Sequence, residues 1–313
     1  MELIEHLDNI KYPFRNAVIT IGNFDGVHIG HQALFREVVQ QAEMINGTAV
    51  GMTFEPHPIS VLSAEKRPPL ITLYEQKVEL IEKTGIQVLI CIPFTLEFAR
   101  ISAETFVEDI LVRRIGAKII VVGPDYTFGA DRTGDVAFLK EYSKRFDYDV
   151  IVPDWIQASF TRSGRISSTR IRECVMDGRV AEARHLLGRF YQIRGTVVSG
   201  RNRGGKLLGF PTANIRLHDE LCPRNGVYAV TAEYNGKTYP AVANIGYSPT
   251  FEDRIYTIEV HLLDFNQDLY NQKIRVNFIE RIRDEIKFSS IDELKQQIQA
   301  DIIEARKILA YNE

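Results

Sequence analysis

Cysteine is scarce in this chain. The three present, Cys91, Cys174 and Cys222, are odd in number and far apart. No pair has the spacing of a metal-binding or redox motif. A disulfide framework and a thiolate zinc site are thereby excluded, and free thiols fit a reducing compartment. Long apolar runs are missing too: none reaches the roughly 18 residues of a membrane span. The opening Met-Glu-Leu-Ile-Glu-His is acidic and lacks the apolar core of a secretory leader, so a cytoplasmic location is expected. There is no excess of positive charge. Lys and Arg number 38 against 41 Asp and Glu, a formal net charge of -3. No dominant field draws such a chain to nucleic acid or acidic lipid, and neither is expected as a partner. Basic residues gather only locally, at Arg162, Arg165, Arg170 and Arg172 and again at Arg201, Arg203 and Lys206. Two local clusters suit small anionic ligands better than a polymer. Internal repeats and low-complexity tracts are absent.

What is present is the composition of a folded protein, with 45% apolar residues, 17 Phe and 13 Tyr. A length of 313 residues predicts two domains, because one domain usually takes about 100–200. Up to Val152, apolar strand-like runs alternate with amphipathic helical patterns. Strands are expected at 17–22, 48–54, 88–93, 118–123 and 148–152, and helices at 33–43, 73–83, 103–115 and 136–146. Ser102 is a fitting N-cap for the third of these helices. The alternation predicts an α/β domain with a parallel sheet covered on both faces. Two short helices, 168–177 and 180–187, close this half. Beyond Gly188 the rhythm changes to strand candidates at 191–199, 226–234, 237–244 and 256–263, with Asn235-Gly236 as a hairpin turn. That half reads as an antiparallel sheet or small barrel. A terminal amphipathic helix follows over 291–309, with Ser290 and Glu293 as a capping box. The domains are therefore expected at 1–186 and 187–313.

One segment of the first half is dense in chemistry. Gly22-Asn23-Phe24-Asp25-Gly26-Val27-His28-Ile29-Gly30-His31 lies between an apolar strand and a helix. Glycines there let backbone approach a phosphate, and the helix N-terminus adds aligned N–H groups. His28 and His31 are three apart and share a face at a helix start. Two imidazoles so placed can bond phosphate oxygens and offset charge growing on phosphorus. The segment is neither a lysine-bearing P-loop nor a Gly-x-Gly-x-x-Gly dinucleotide fingerprint. Zinc binding by the histidine pair lacks a third ligand nearby.

Further segments fall at strand ends, where open α/β sheets bind ligands. One contains His57, within Phe54-Glu55-Pro56-His57-Pro58. Another carries Asp125, Phe128 and Arg132. Later, Ile166-Ser167-Ser168-Thr169-Arg170-Ile171-Arg172 offers hydroxyls and guanidiniums suited to a triphosphate tail, although hydroxyls at a helix start are often only caps.

Together these segments resemble the FMN adenylyltransferase module of the bacterial bifunctional riboflavin kinase/FAD synthetase family. That module is similar to the nucleotidylyltransferases with a His-x-Gly-His signature. The resemblance implies a Rossmann-like nucleotidylyltransferase domain in which His28 and His31 contact ATP phosphates. Asn23 and Asp25 would shape the ATP and metal site, and Gly22, Phe24 and Gly30 would also line the nucleotide. Ser167, Ser168, Thr169 and Arg172 would hold the phosphate tail. His57, Asp125, Phe128 and Arg132 would lie near the flavin nucleotide or the adenylyl group. The implied chemistry is in-line attack of the FMN phosphate on the α-phosphorus of ATP, releasing pyrophosphate.

The second half holds Gly204-Gly205-Lys206-Leu207-Leu208-Gly209-Phe210-Pro211-Thr212-Ala213-Asn214. A glycine-rich loop can wrap phosphates. Thr212 and Asn214, two apart on an extended segment, point the same way and offer hard oxygen ligands for Mg2+. Glu259 is a carboxylate in an otherwise apolar strand, either a solvated face or a general base. These motifs resemble the riboflavin kinase module of the same family. The resemblance implies a six-stranded antiparallel barrel with a terminal helix. Thr212 and Asn214 would bind Mg2+ and nucleotide phosphate, with Lys206, Gly209 and Pro211 lining that loop, and Glu259 would activate the ribityl 5'-hydroxyl. The likeness runs from about Asn16 to Ile308 and implies ATP, riboflavin and FMN as substrates and FAD as product. A monomer or weak homo-oligomer is expected.

Three other readings compete. One activity could be inefficient, most readily the kinase, but both halves keep every residue assigned to chemistry. A nucleotidylyltransferase for another substrate would not need a kinase-like barrel. A non-catalytic flavin or RNA binder would call for a large basic surface, which the near-neutral composition does not supply.

Overall fold

The computed structural model describes residues 1–63, 65, 67–153, 166–198, 210–217, 220–249 and 254–312. They form two compact units, Met1–Ser167 and Ser168–Glu313.

The first unit is built on six strands: β1 (Glu2–Ile4), β2 (Ala17–Ile21), β3 (Ala49–Glu55), β4 (Val88–Pro93), β5 (Ala117–Val121) and β6 (Asp149–Ile151). All pairings are parallel, in the order β1-β4-β3-β2-β5-β6. The central strands are apolar on both faces because both faces are covered. Helix α1 (Ile29–Met44) helps cover one face, where Val18, Phe35, Val38, Leu89 and Val121 are buried. On the other face lies α4 (Ala103–Thr105), continued by a π-helical stretch (Phe106–Ile115), with Ile19, Ile90, Phe106, Leu111 and Ile120 packed between. Ser102 caps that helix as expected, its Oγ accepting from Thr105 N at 3.2 Å. Helices α2 (Pro58–Leu62), α3 (Tyr74–Glu82) and α5 (Val136–Phe146) complete the unit. Strand β1 has no counterpart in the sequence reading. It is a short edge strand, with Glu2 and Leu3 exposed, and shows no alternation to detect.

Reading outward from β2, the strand order runs β3, β4, β1 on one side and β5, β6 on the other. The reversal lies between β2 and β5. Open α/β sheets bind ligands at such a point, outside the carboxyl ends of the strands, because the connections leave in opposite directions. The segment Gly22–His31 follows β2, and the Asp125–Arg132 segment follows β5.

The second unit opens with α6 (Ser168–Met176) and α7 (Val180–Leu187). A closed barrel follows, of β7 (Tyr191–Val198), β8 (Ala213–Ile215), β9 (Gly226–Tyr234), β10 (Lys237–Pro249), β11 (Arg254–Leu262) and β12 (Lys273–Arg283). The barrel order is β10-β11-β8-β7-β12-β9, antiparallel throughout. Asn235 and Gly236, with φ of 49° and 73°, make the hairpin turn between β9 and β10. Strands β8 and β12 add to the four that the sequence pattern predicts. The first is three residues long, and the second alternates buried Ile274, Val276 and Phe278 with Lys273, Arg275 and Asn277. Inside the barrel, Tyr191, Tyr228 and Phe278 pack ring against ring. Helix α8 (Ile291–Tyr311) lies on β9, β10 and β12. Ser290 Oγ accepts from Glu293 N at 3.2 Å, while the Glu293 carboxylate reaches Ser289 N at 3.1 Å.

Packing divides the chain at Ser167/Ser168, ahead of 186/187, because α7 lies against β7 and β12. Arg224 N also donates to Val175 O at the end of α6, at 3.3 Å.

Candidate active sites

In the first unit, β2 delivers the chain into a tight turn in which Phe24, Gly26 and Val27 all have positive φ, at 49°, 86° and 38°. For Phe and Val this conformation costs on the order of 1–3 kcal/mol each and persists only where the surroundings enforce it. Asp25 supplies part of that enforcement. Its buried carboxylate accepts from Ile71 N and Thr72 N, at 3.1 and 3.0 Å. Asn23 O accepts from Thr53 Oγ1 at 3.2 Å.

The turn ends at the start of α1, four residues earlier than the amphipathic pattern indicated. His28 is its N-cap and is buried, with its Nδ1 accepting from His31 N at 3.2 Å. A neutral His28 therefore carries its proton on Nε2, which remains a donor. The His28 and His31 rings stack with centroids 3.5 Å apart. Phe24 lies edge-on beneath His31 at 5.2 Å and packs on Phe35 at 4.6 Å. It is a buried support for the imidazole pair. Gly22 is required for the same reason: a Cβ there would meet the Phe24 ring at 2.8 Å.

Strand order brings other predicted residues to the same edge of the sheet, since β3, β2 and β5 are neighbours. His57, after β3, caps α2 by accepting from Ile59 N at 3.3 Å, so its Nε2 is also left as the donor. Asp125 and Arg132, after β5, are exposed. Arg132 has φ 58° and follows Asp131 at 53°, so this loop too is held in an uncommon conformation. Phe128, unlike Asp125 and Arg132, points inward. It is 7% exposed and bridges Gly134, with its ring among Phe106, Tyr126 and Phe138. That contact anchors the loop in the core.

Ser167 is the last residue of the first unit. Ser168, Thr169 and Arg172 lie on the first two turns of α6 in the second. Arg170 is paired with Glu182 at 2.8 Å and Glu173 at 3.3 Å. It serves the α6–α7 packing.

In the barrel, alternation separates two surfaces. Ala213, Ile215, Ile258, Val260 and Leu262 are buried, whereas Thr212, Asn214, Glu259 and His261 are only half-buried, on the opposite face. Glu259 stands in register with Asn214 on β8 and with Asn244 on β10. A cavity of about 340 Å³ covers this surface, its polar wall including Thr212, Asn244, Glu259 and His261, its apolar wall Val227, Ile286, Phe288 and Ile302. Burial raises the Glu259 carboxyl above its ordinary value. A second cavity, of about 310 Å³, lies between Pro211–Ala213 and the 265–270 segment. Thr212 lines both cavities.

Two residues escaped the sequence reading. His261 Nδ1 lies 2.7 Å from Pro211 O, and its ring meets Phe210 edge-on at 5.7 Å. Asn244 faces Glu259 from β10. His261 is two residues beyond Glu259 and thus on its face, a signal that period-two counting provides. Lys206 and Gly209 lie outside the described residues. Among the described residues no group of three or more His, Cys, Asp or Glu could hold a metal ion. A Thr–Asn oxygen pair is the kind of donor set Mg2+ uses alongside waters and substrate phosphate.

A stacked histidine pair at the switch point of a parallel sheet, with a barrel bearing a half-buried carboxylate beneath a cavity, fits a two-module phosphate-transferring enzyme. The FAD synthetase family model matches residues 11–170, and the riboflavin kinase model matches residues 187–309. The chain belongs to the bifunctional riboflavin kinase/FMN adenylyltransferase family. It is 40% identical over 308 residues to the bifunctional riboflavin kinase/FMN adenylyltransferase of Haemophilus influenzae, covering 98% of each chain. With the Escherichia coli K12 protein of the same name it shares 38% over 310 residues, covering 98% of this chain and 97% of the other. A crystal structure described as a macrolide-efflux protein from Streptococcus pneumoniae superposes with a TM-score of 0.87 at 36% identity, over 97% of this chain and 98% of that one. Among the described residues no helix is long and apolar enough to cross a membrane. The enzyme phosphorylates riboflavin to FMN with ATP in its C-terminal half and adenylylates FMN to FAD in its N-terminal half.

Proposed function

We propose that the two reactions are carried by His28 and His31 in the first unit and by Glu259 in the second. In adenylylation an oxygen of the FMN phosphate attacks the α-phosphorus of ATP, that P–O bond forms, and the bond to the β-phosphate breaks to release pyrophosphate. His28 Nε2 and His31 donate to the phosphate oxygens as charge builds. Gly22, Asn23 and Gly30 let the backbone approach, and His57, Asp125 and Arg132 border the flavin nucleotide. Phe24 and Phe128 act from beneath as supports. Ser167, Ser168, Thr169 and Arg172 offer hydroxyls and a guanidinium of the kind that suits a phosphate tail. The observation that carries this reading is the stacked, N-cap-locked imidazole pair after β2.

In the kinase, Glu259 accepts the proton of the ribityl 5'-hydroxyl as that oxygen attacks the γ-phosphorus, and ADP leaves. Its raised carboxyl supports the role, since a base closer to neutrality is better matched to proton transfer. The flavin occupies the cavity above Glu259 and the nucleotide the cavity beside Pro211, meeting at Thr212. Thr212 and Asn214 would hold Mg2+, with Pro211 beside the nucleotide phosphates. Bound Mg2+ would neutralise phosphate charge. Functionally the modules divide at 186/187, although α6 and α7 pack with the barrel. A cytoplasmic monomer or weak homo-oligomer without nucleic-acid or membrane partners fits the charge and cysteine content.

Incubating the protein with riboflavin, ATP and Mg2+ and resolving flavins by chromatography tests the assignment. His28→Ala is expected to stop at FMN, and Glu259→Gln to make FAD only from added FMN. FAD formation from FMN by His28→Ala at the parent rate would remove the histidine assignment.

A further inference from the structure

The geometry points to an Asp25–Thr72 clasp that positions the nucleotidyl-transfer turn, with Asp25 acting through the backbone rather than as a ligand of the metal. This rests on the assignment of His28 and His31 above. Three donors converge on the Asp25 carboxylate: Ile71 N, Thr72 N and Thr72 Oγ1, at 3.1, 3.0 and 3.2 Å. The Thr72 hydroxyl is used twice, since it also accepts from Gly26 N at 3.0 Å. Both side chains are buried, at 3% exposure each. The bonds join segments 46 and 47 positions apart in sequence.

A rigid frame stands behind the clasp. Leu73, next to Thr72, is the N-cap of α3, and Lys77 on that helix is buried. Lys77 Nζ donates to Phe54 O at 3.2 Å and lies 3.4 Å from Glu55 Oε2, at the end of β3. Helix α3 is thereby fixed to the central sheet, and the Asp25 bonds fix the turn to α3. Ile71 also closes over Gly26, where a Cβ would meet its Cγ2 at 3.1 Å. Between the clasp and His28 the chain passes through Gly26 and Val27, both at positive φ. Without an outside hold those residues relax toward commoner conformations, and the imidazoles move with them. Displacement of catalytic groups by about 1 Å can cost a hundredfold in rate.

Steady-state adenylylation of FMN by Asp25→Asn, Thr72→Val, Thr72→Ser and the Asp25→Asn/Thr72→Val pair tests the clasp. Val has the shape of Thr without the hydroxyl, and Ser keeps the hydroxyl. Expected are falls in kcat of about ten- to a hundredfold for Asp25→Asn and Thr72→Val. Expected with them are an unchanged half-saturating Mg2+ concentration, a double variant no slower than the slower single, and a kcat for Thr72→Ser near the parent value. Thr72→Val at the parent kcat would overturn the clasp. So would a shift of about tenfold in half-saturating Mg2+ confined to Asp25→Asn, which marks a metal ligand, or losses that simply multiply. Hydrogen exchange on the unaltered protein tests it without substitution: the Gly26, Ile71 and Thr72 amides should be protected together, and fast exchange at them would count against it. His28→Ala in the same assay separates the two questions. If it keeps full activity, the histidine assignment fails. If it is inactive while Thr72→Val is normal, only the clasp fails.

Discussion

Asp301 offers the sharpest energetic test of the kinase unit. It sits on α8, 4% exposed, and its carboxylate grips Arg283 at the end of β12 through Nε at 2.8 Å and Nη2 at 2.7 Å. Gln297 Nε2 adds a third bond at 2.9 Å. Asp301→Ala would strand a guanidinium whose side chain is 18% exposed. Breaking one partner out of a buried pair costs about 3–5 kcal/mol. Arg283 keeps some solvent and its Nη1 bond to Asp284 O at 2.9 Å, so the cost is discounted to or just below the bottom of that range, about 2–3 kcal/mol. With a urea m-value of about 2 kcal/mol/M, the midpoint of the barrel transition should fall by about 1–1.5 M, read by circular dichroism. Both residues also line the cavity over Glu259, so the riboflavin KM should rise while adenylylation of supplied FMN keeps its rate. Replacing both residues, Asp301→Leu with Arg283→Met, should recover most of the lost stability, because no unpaired charge is left. A loss below about 0.5 kcal/mol for Asp301→Ala, the size of a surface substitution, would show that no buried charge is stranded.

Riboflavin phosphorylation should fall on the acid side of its pH profile at a pH above the ordinary range of a glutamate. Glu259 must be ionised to take the proton, and burial raises the pH at which it ionises; a profile flat down to pH about 4.3, the ordinary glutamate value, would contradict its role as base. His261→Ala removes the bond to Pro211 O and should lower kcat/KM for ATP in the kinase reaction about fivefold, the worth of roughly 1 kcal/mol. An unchanged kcat/KM would show that Thr212 does not depend on that contact.

Features written in short-range chemistry were legible in the sequence. The turn after β2, the Asn235-Gly236 hairpin and the caps at Ser102 and Ser290 each follow from a few adjacent residues. Glu259 stood out because period-two alternation makes a carboxylate in an apolar strand visible. Features written across the chain were not legible. Thr72 is silent as a sequence letter and acquires meaning only by reaching Asp25. Asn244 joins Glu259 only through the β10–β11 register. Phe24 and Phe128 looked like ligand contacts because they sit inside site motifs. Packing makes them supports, since each ring fills space beside a glycine that could not carry a Cβ. The start of α1 was placed late because Ile29-Gly30-His31 is a poor helix-forming opening, and the His28 cap supplies what propensity does not.

Two chemically independent sites in one chain act in sequence, FMN being product of one and substrate of the other. Their independence is tested most directly by supplying either riboflavin or FMN, with ATP and Mg2+, to His28→Ala and Glu259→Gln and resolving FMN from FAD. His28→Ala should give FMN without FAD from riboflavin. Glu259→Gln should give FAD at the parent rate from FMN, with FMN formation from riboflavin down about a hundredfold or more. Loss of both products in either variant, with the fold retained, would contradict that independence.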